Sequence, residues 1–430
     1  MTTDTINRRL SAEPLRPGVP RIIVAASIGN ALEWFDFLAY GYFAVTISKL
    51  FFPSSNETVS LLNTFGVFAL SYLVRPLGAI AIGAYTDRFG RRGGMTLSIM
   101  LMMVGTTIMA VSPTYDAIGI AAPLLVLLAR LLQGFSVGGE FGTSTAFLVE
   151  HSETRKGFLA SWQWASQGIT AVIASLLGVI LTGWLSADQL LAWGWRVPFL
   201  FGLLIGPVGL YIRSHMAETP EFAASAPSRT PLRGLLRRYP VQVLIAVGAS
   251  VISNSSNYLI LYIPTYAAKE LHLPQYIGFI ATMVGAIILS TVAPIAGHVS
   301  DKVGRPRIMI AMCVLFLVTA YPVFWIMVTW PSLTTAIIAA GWLSLVKAGY
   351  SGILPALLSE LFPTETRAIG MSLGYSVSVT IFGGSALYIA TQLIHLTGDP
   401  LAPSYYLMGT AVLSIIAIVC AARFRPSTAP

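Results

Sequence analysis

Charge is what this chain lacks most. Only 10% of its 430 residues are Asp, Glu, Lys or Arg, against 55% hydrophobic, and mean hydropathy is +0.74. Soluble domains carry about 25% charged residues, so a surface this poor in charge excludes a globular protein in water. Cysteine is nearly absent: Cys313 and Cys420 both sit in apolar runs, which excludes a disulfide framework and a cysteine metal site. His298 reads as a gate residue, and His151 and His215 as interfacial; no metal or cofactor is expected. The polar first twenty residues hold no apolar core, so no cleavable signal is expected. Phosphate-loop, H-E-x-x-H and G-x-S-x-G patterns are missing, which removes support for ATP-driven transport and for those hydrolases. The net charge of +8 comes from short basic clusters between apolar runs and forms no nucleic-acid groove.

What the chain has is long apolar runs. A spanning helix needs about 20 such residues, and backbone in lipid must satisfy itself, so the runs are helices. Twelve are predicted, near 22–48, 59–85, 95–112, 120–149, 157–183, 195–212, 240–267, 276–300, 307–328, 332–360, 367–395 and 403–422. The expected architecture is an all-α membrane protein of two six-helix bundles. The bundles cover 22–212 and 240–422, with a polar tail at 1–21, a linker at 213–239 and a second tail at 423–430. With the N-terminus in the cytoplasm, inner segments hold 20 of the 26 Lys and Arg and outer segments hold Lys49, Arg196 and Lys269. That bias predicts both termini inside.

The halves repeat each other. Gly83-Ala-Tyr-Thr-Asp87-Arg88-Phe-Gly90-Arg91-Arg92 follows the second helix, and Gly297-His-Val-Ser-Asp301-Lys302-Val-Gly304-Arg305-Pro306 follows the eighth, 214 positions on (301 against 87). Glu153-Thr-Arg155 and Glu365-Thr-Arg367 repeat at an offset of 212 (365 against 153). Parallel repeats of this kind place a substrate site between the halves near mid-membrane. Gly83 and Gly297 suit close helix approach. Asp87 and Asp301 suit a neighbouring helix N-terminus, and Arg88, Arg91, Arg92 and Arg305 suit carboxylates at an inner gate.

The repeated G-x-x-x-D-R-x-G-R-R run resembles the signature loop of the major facilitator superfamily. Glu33-Trp-Phe-Asp36-Phe, Arg75-Pro76-Leu-Gly78, Gly134-Phe-Ser-Val-Gly138-Gly139-Glu140, Trp193-Gly-Trp195-Arg196-Val-Pro198-Phe199 and Glu218-Thr-Pro220-Glu221-Phe222 resemble its metabolite:proton symporter branch. That branch includes carriers of citrate, tricarballylate, α-ketoglutarate, shikimate, and proline or betaine. Ser161-Trp-Gln163-Trp-Ala-Ser166-Gln167, Ile381-Phe-Gly383-Gly384 and Leu396-Thr-Gly398-Asp399 look most like the citrate and tricarballylate members. The resemblance implies a proton symporter in a bacterial inner membrane. Its partners would be a small organic acid, protons and lipid, with no obligate protein partner.

Charge deep in a membrane helix is costly and usually functional. Six such residues stand out: Glu33, Asp36, Arg75, Arg130, Glu140 and Lys347. At 1.5 Å per residue, Asp36, Arg130 and Lys347 lie roughly 20–27 Å from their inner ends, and Glu33, Arg75 and Glu140 roughly 12–16 Å. Proton coupling is expected from Asp36 or Glu33, with Arg130 and Glu140 alongside. The superfamily's proton-coupled sugar carriers resemble this first-helix acid with a fourth-helix arginine; a permanent ion pair is the structural alternative. Arg130 and Lys347 are expected to hold substrate carboxylates from opposite sides, although Lys347 departs from the resemblance to the citrate carriers, which implies an apolar aromatic at that place. The alternative for Lys347 is snorkelling or pairing with an acid of the first half. Asn254, Asn257, Tyr258, Gln163, Gln167, Tyr350 and Tyr375 are further substrate candidates, against helix packing. A zwitterionic osmolyte is the second substrate reading; the chain ends at Pro430 without the coiled coil that would favour an osmosensing carrier.

Overall fold

The computed structural model describes residues 30, 34–138, 140–150, 154–203, 206–207, 232–363 and 366–423, without the side chains of 83–84, 86–92 and 140 among others. The described regular elements are all helical. They fall into α1 (34–51), α2 (Glu57–Ile82), α3 (Thr96–Val111), α4 (121–150), α5 (Lys156–Trp184), α6 (197–207, described in part), α7 (Pro240–Lys269), α8 (Gln275–Val303), α9 (Arg305–Thr329), α10 (Leu333–Leu361), α11 (Arg367–Thr397) and α12 (Ala402–Arg423). Eight of these are long and apolar enough to cross a membrane. Thr96–Val111 and Ala121–Ser136 are shorter apolar helices.

Two departures from the expected spans have local causes. α2 ends its first segment at Leu73 and restarts at Arg75. Pro76 lacks the N–H that would bond the Tyr72 carbonyl. Thr380 Oγ1 of α11 donates to that carbonyl instead, at 3.0 Å. Helical backbone then continues from Arg75 to Val111, where a loop after residue 85 was expected. Gly78 packs on Phe135 and Ser98 donates to the Ser136 carbonyl, so the chain reverses between them while keeping helical geometry.

Glycine sets how closely α2 and α4 cross. A Cβ on Gly78, Gly134 or Gly138 would fall about 2 Å from the carbonyl oxygen of Phe135, Ser71 or Arg75 respectively. The halves meet along α5 and α8 by the same device: Gly157 faces the Gly297 carbonyl and Gly297 the Gly157 carbonyl. α11 carries a π-helical segment, Val379–Gly384, whose Gly383 and Gly384 lie under the rings of Tyr258 and Tyr72. Those two hydroxyls bond across the halves, Tyr258 donating to Tyr72 at 2.6 Å.

Gly134→Val should cost about 1–3 kcal/mol or prevent folding, because backbone cannot yield as a flexible side chain can. Gly66 has no atom within 4 Å of an added Cβ, so Gly66→Ala should melt at or above the wild-type temperature. Thermal melting in detergent checks the pair; equal melting of both variants contradicts the backbone-contact account.

Candidate substrate and proton sites between and within the bundles

A cavity of about 30 Å³ lies between the halves, lined by Trp34, Leu38 and Tyr42 of α1, Gln167 of α5, Asn257 of α7, Ser344 and Lys347 of α10, and residues of α8. Space of that size holds one or two waters. A carboxylic acid enters only when the walls separate.

Lys347 is buried at 3% exposure, so it does not snorkel to lipid. Its ammonium donates to Asn257 Oδ1 and stands 5.0 Å from the centroid of the Trp164 ring. Among the described residues no carboxylate lies within ion-pair distance of it; the three ion pairs there are Lys269–Glu57, Arg305–Asp301 and Arg305–Glu360. Asn257 meets Lys347 with its amide oxygen, so that bond does not use its N–H groups. Gln167, 4% exposed, has no partner at either amide atom.

Asp36 sits at the same level of α1 but on another face. Trp34, Leu38 and Tyr42 recur every fourth residue toward the cavity, and Asp36 is turned about 200° from Trp34. Its Oδ2 accepts from Thr106 Oγ1 of α3 and, at 3.4 Å, from Gln133 Nε2 of α4. Its Oδ1 has no donor and lies 2.8 Å from where a Cβ on Gly202 would stand. Arg130 donates to Gln133 Oε1 at 2.6 Å, so the glutamine bridges arginine and aspartate. The alternative of a direct Asp36–Arg130 ion pair is not found. Thr106 and Gln133 escaped the sequence reading. Gln133 was visible as an amide one turn after Arg130, whereas Thr106 looks like any helical threonine bonded to its own turn, as it also is to Met102.

The expected clamp of Arg130 opposite Lys347 is not formed. The Arg130 guanidinium is covered by the rings of Phe37, Tyr40 and Phe68, at 4.7, 4.5 and 5.5 Å, behind α1 as seen from the cavity. Arg75 lies over Tyr72 at 4.0 Å and Phe37 at 4.8 Å. Other candidates have contacts on neighbouring helices, while the Asn254 Oδ1 and the Tyr375 hydroxyl have no partner. Gln163 is paired with Asn30; Asn254 donates to Ser378; Tyr258 holds Tyr72. The Tyr350 hydroxyl donates to the Ala249 carbonyl, and the Tyr375 ring stacks on Phe141 at 3.7 Å. Glu33 lies outside the described residues, as does the side chain of Glu140.

Both ends of the cavity are shut. At the end bearing the basic motifs, Asp301 accepts from the backbone N–H groups of Gly157 and Phe158 at 2.8 and 3.1 Å, capping the start of α5 in the other half. Arg305 donates to Asp301 at 3.1 Å and pairs with Glu360. Ser372 and Gly142 bond across the halves beside the Phe141–Tyr375 stack. The side chains of Asp87, Arg88, Arg91 and Arg92, and position 83, lie outside the described residues. At the opposite end, Phe279 packs on Tyr42 and Phe43, Ser175 links Tyr42 to Thr282, and Lys269 pairs with Glu57.

Two helical bundles thus enclose a small cavity in which Gln167, Asn257 and Lys347 stand among mainly apolar side chains, an arrangement that suits a membrane carrier. Residues 26–387 match the Major Facilitator Superfamily, and the chain belongs to that superfamily. It is 38% identical over 400 residues to the citrate-proton symporter of Klebsiella pneumoniae, covering 92% of this chain and 90% of that one. It is 32% identical over 416 residues to the proline/betaine transporter of Escherichia coli K12, covering 92% and 82%. The crystal structure of a D-xylose-proton symporter superposes with a TM-score of 0.75 at 16% identity, covering 95% and 98%.

Asp301→Ala removes three hydrogen bonds to a charged acceptor, two from backbone N–H groups and one from Arg305. It should destabilise the closed basic end by about 1.5–3 kcal/mol per bond lost at most. Crosslinking between cysteines placed on α5 and α8 at that end should fall, and transport should slow severely. Unchanged crosslinking and uptake would remove Asp301 from the gate.

Proposed function

We propose that the protein is a proton symporter that brings a small organic acid anion into a bacterial cell across the inner membrane by alternating access. The observation that carries this reading is Lys347: a buried ammonium in the inter-bundle cavity whose described partners are a neutral amide and an aromatic face. Burying charge without a counter-charge is costly, and a substrate carboxylate supplies it. Asn257 and Gln167 hold the rest of the substrate. The likeness to citrate-proton symporters supports a di- or tricarboxylate. An α-keto or cyclic acid, as in the carriers of α-ketoglutarate and shikimate, fits the same ammonium.

The bundles 22–212 and 240–422 rock about the cavity while the linker 213–239 joins them. The basic motifs face the cytoplasm with both termini, by the placement of Lys and Arg. Gly83, Asp87 and the arginines after it form the counterpart of the Gly297, Asp301 and Arg305 gate. Asp36 takes the coupled proton at Oδ1, the oxygen that can accept it without breaking the Thr106 and Gln133 contacts. Glu33 and Glu140 stand near the same route in sequence. A zwitterion such as proline or betaine also offers a carboxylate, but its cationic centre would share a small cavity with Lys347.

Lys347→Gln keeps length and polarity but removes the charge. Losing one partner of a buried charged contact costs about 2–5 kcal/mol, so citrate affinity at fixed pH should fall at least about tenfold. Untouched carboxylate affinity in that variant, or tight betaine binding with no carboxylate binding by the wild type, defeats the anion reading. Asp36→Asn in proteoliposomes should abolish gradient-driven accumulation while exchange of internal for external substrate continues. Full accumulation by Asp36→Asn would remove the aspartate from proton coupling.

A further inference from the structure

We infer that Gln167 makes the carrier selective for organic acids that present an O–H donor, a hydroxyl or a carboxyl still holding its proton, beside the ionised carboxylate at Lys347. The inference rests on the anion reading above and names the chemistry of the second contact.

Among the described residues, Gln167 is the one buried side-chain amide with both its nitrogen and its oxygen unpartnered. Asn254 lacks a partner at Oδ1 alone and Gln275 at Nε2 alone; three further amides are paired. Gln163 exchanges hydrogen bonds with Asn30, Gln133 joins Arg130 to Asp36, and Asn257 accepts from Lys347. Gln167 lines the cavity with Lys347 and Asn257. It follows Trp164 by three residues on α5, a rise of about 4.5 Å, and Trp164 is the ring that faces the Lys347 ammonium. Ammonium and amide thus line one small cavity, where a single small molecule can meet both.

The two ends of the amide ask for different things. Its N–H groups can be met by any carboxylate or carbonyl oxygen. Its carbonyl oxygen needs a donor, and an ionised carboxylate has none. A fully ionised polycarboxylate without a hydroxyl would leave that oxygen buried and unpaired. It would also bring a second negative charge into a cavity whose lining holds one cation. Of the groups facing Lys347, Tyr42 on α1 is the other titratable one; Gln167 and Trp164 on α5, Asn257 on α7, Thr282 on α8 and Ser344 on α10 are neutral. Arg130 and Arg75 are held under aromatic rings away from it. A hydroxy acid meets the oxygen directly. A polycarboxylate lacking a hydroxyl meets it once one carboxyl is protonated, and then carries a proton across on itself.

The test compares acids that differ by one hydroxyl, citrate against tricarballylate and malate against succinate, in binding titrations of the purified protein at pH 7.5 and pH 5. At pH 7.5 the hydroxy acid of a pair should bind the wild type at least about tenfold more tightly, because a site built to bond a hydroxyl rejects the analogue without one. In Gln167→Leu the preference should fall to within about twofold while the hydroxy acid still binds. In the wild type at pH 5, near the carboxyl range, the gap should narrow as the analogue gains a proton. If Gln167→Leu does not give a folded protein by thermal melting, Gln167→Asn, which withdraws the amide by one methylene, is scored by the same ratio. Equal binding of both members of a pair by the wild type at pH 7.5, or a preference that survives the substitution, overturns the inference and leaves the anion reading standing. Failure of all four acids to bind a folded wild type that binds betaine overturns both.

Discussion

Hydrocarbon accepts no hydrogen bonds, so every polar group carried into it must be satisfied by the protein itself. Most serines and threonines of the bundles meet that demand locally by donating one turn back. Ser250 bonds the Ala246 carbonyl, Ser256 that of Ile252 and Thr282 that of Gly278. Groups too large or too charged for this reach between helices, and those few contacts fix how the helices pack. Asn30, ahead of α1 in the chain, is tied to α5 through Gln163, Gln133 ties α4 to α1 and α3, and Lys347 ties α10 to α7. The Tyr72 carbonyl freed by Pro76 is met by Thr380 of the other half. Among the described residues this pairing leaves out several buried atoms, including the Trp164 Nε1, the Asn254 Oδ1 and the Tyr375 hydroxyl. Of the unpartnered groups the Gln167 amide is the one that lines the cavity, and the Asp36 Oδ1 is the one carboxylate oxygen.

The two seals over the cavity are made of unlike material. The basic end is closed by a carboxylate on backbone N–H groups and by close backbone approach at Gly157 and Gly297. The opposite end is closed by Phe279 against Tyr42 and Phe43, with Leu261 over Gly41. Among the described residues each seal is a handful of contacts, worth about 1 kcal/mol apiece where neutral and about 1.5–3 kcal/mol where they involve the Asp301 carboxylate. A ligand shifts such an equilibrium only by its differential affinity for the two states. Modest seals therefore suit a carrier whose substrate gains a charged contact and two amides on closure.

Span positions were legible because hydropathy integrates over twenty residues: α7 to α12 begin and end within a few residues of the expected runs. Charge at depth was equally visible, since six charged residues in apolar runs cannot hide. Facing was not. Asp36 and Lys347 share a level, yet which side of α1 an aspartate takes depends on Gly202 and Thr106, distant in sequence and unremarkable in type. Tyr350 has the composition of a ligand-binding tyrosine, but the Ala249 carbonyl claims its hydroxyl; the Tyr375 ring is stacked on Phe141, with its hydroxyl unpartnered. The break at Val74 follows from Pro76; continued helical geometry through Gly90, Gly93 and Gly94 does not follow from any local propensity.

The separation of Asp36 from Lys347 decides what kind of coupling the proposed symport can use. The two groups flank α1, whose diameter with side chains is about 10 Å. Across that distance, at an effective dielectric of about 20, unit charges interact by about 1.7 kcal/mol. Driving a two-state equilibrium decisively from one side to the other takes about 5.5 kcal/mol. Direct attraction between the proton site and the substrate site is therefore too weak to enforce coupled movement. The helix between them has to carry the rest. α1 presents Trp34, Leu38 and Tyr42 to the cavity and Asp36 to the bundle interior, with Phe37 beside both arginines. Tyr42 and Phe43 on the same helix form the aromatic seal with Phe279. A small rotation or tilt of α1 thus changes the pairing of Asp36, the width of the substrate cavity and the seal at the far end in one movement, which is the mechanical link that charge alone does not provide.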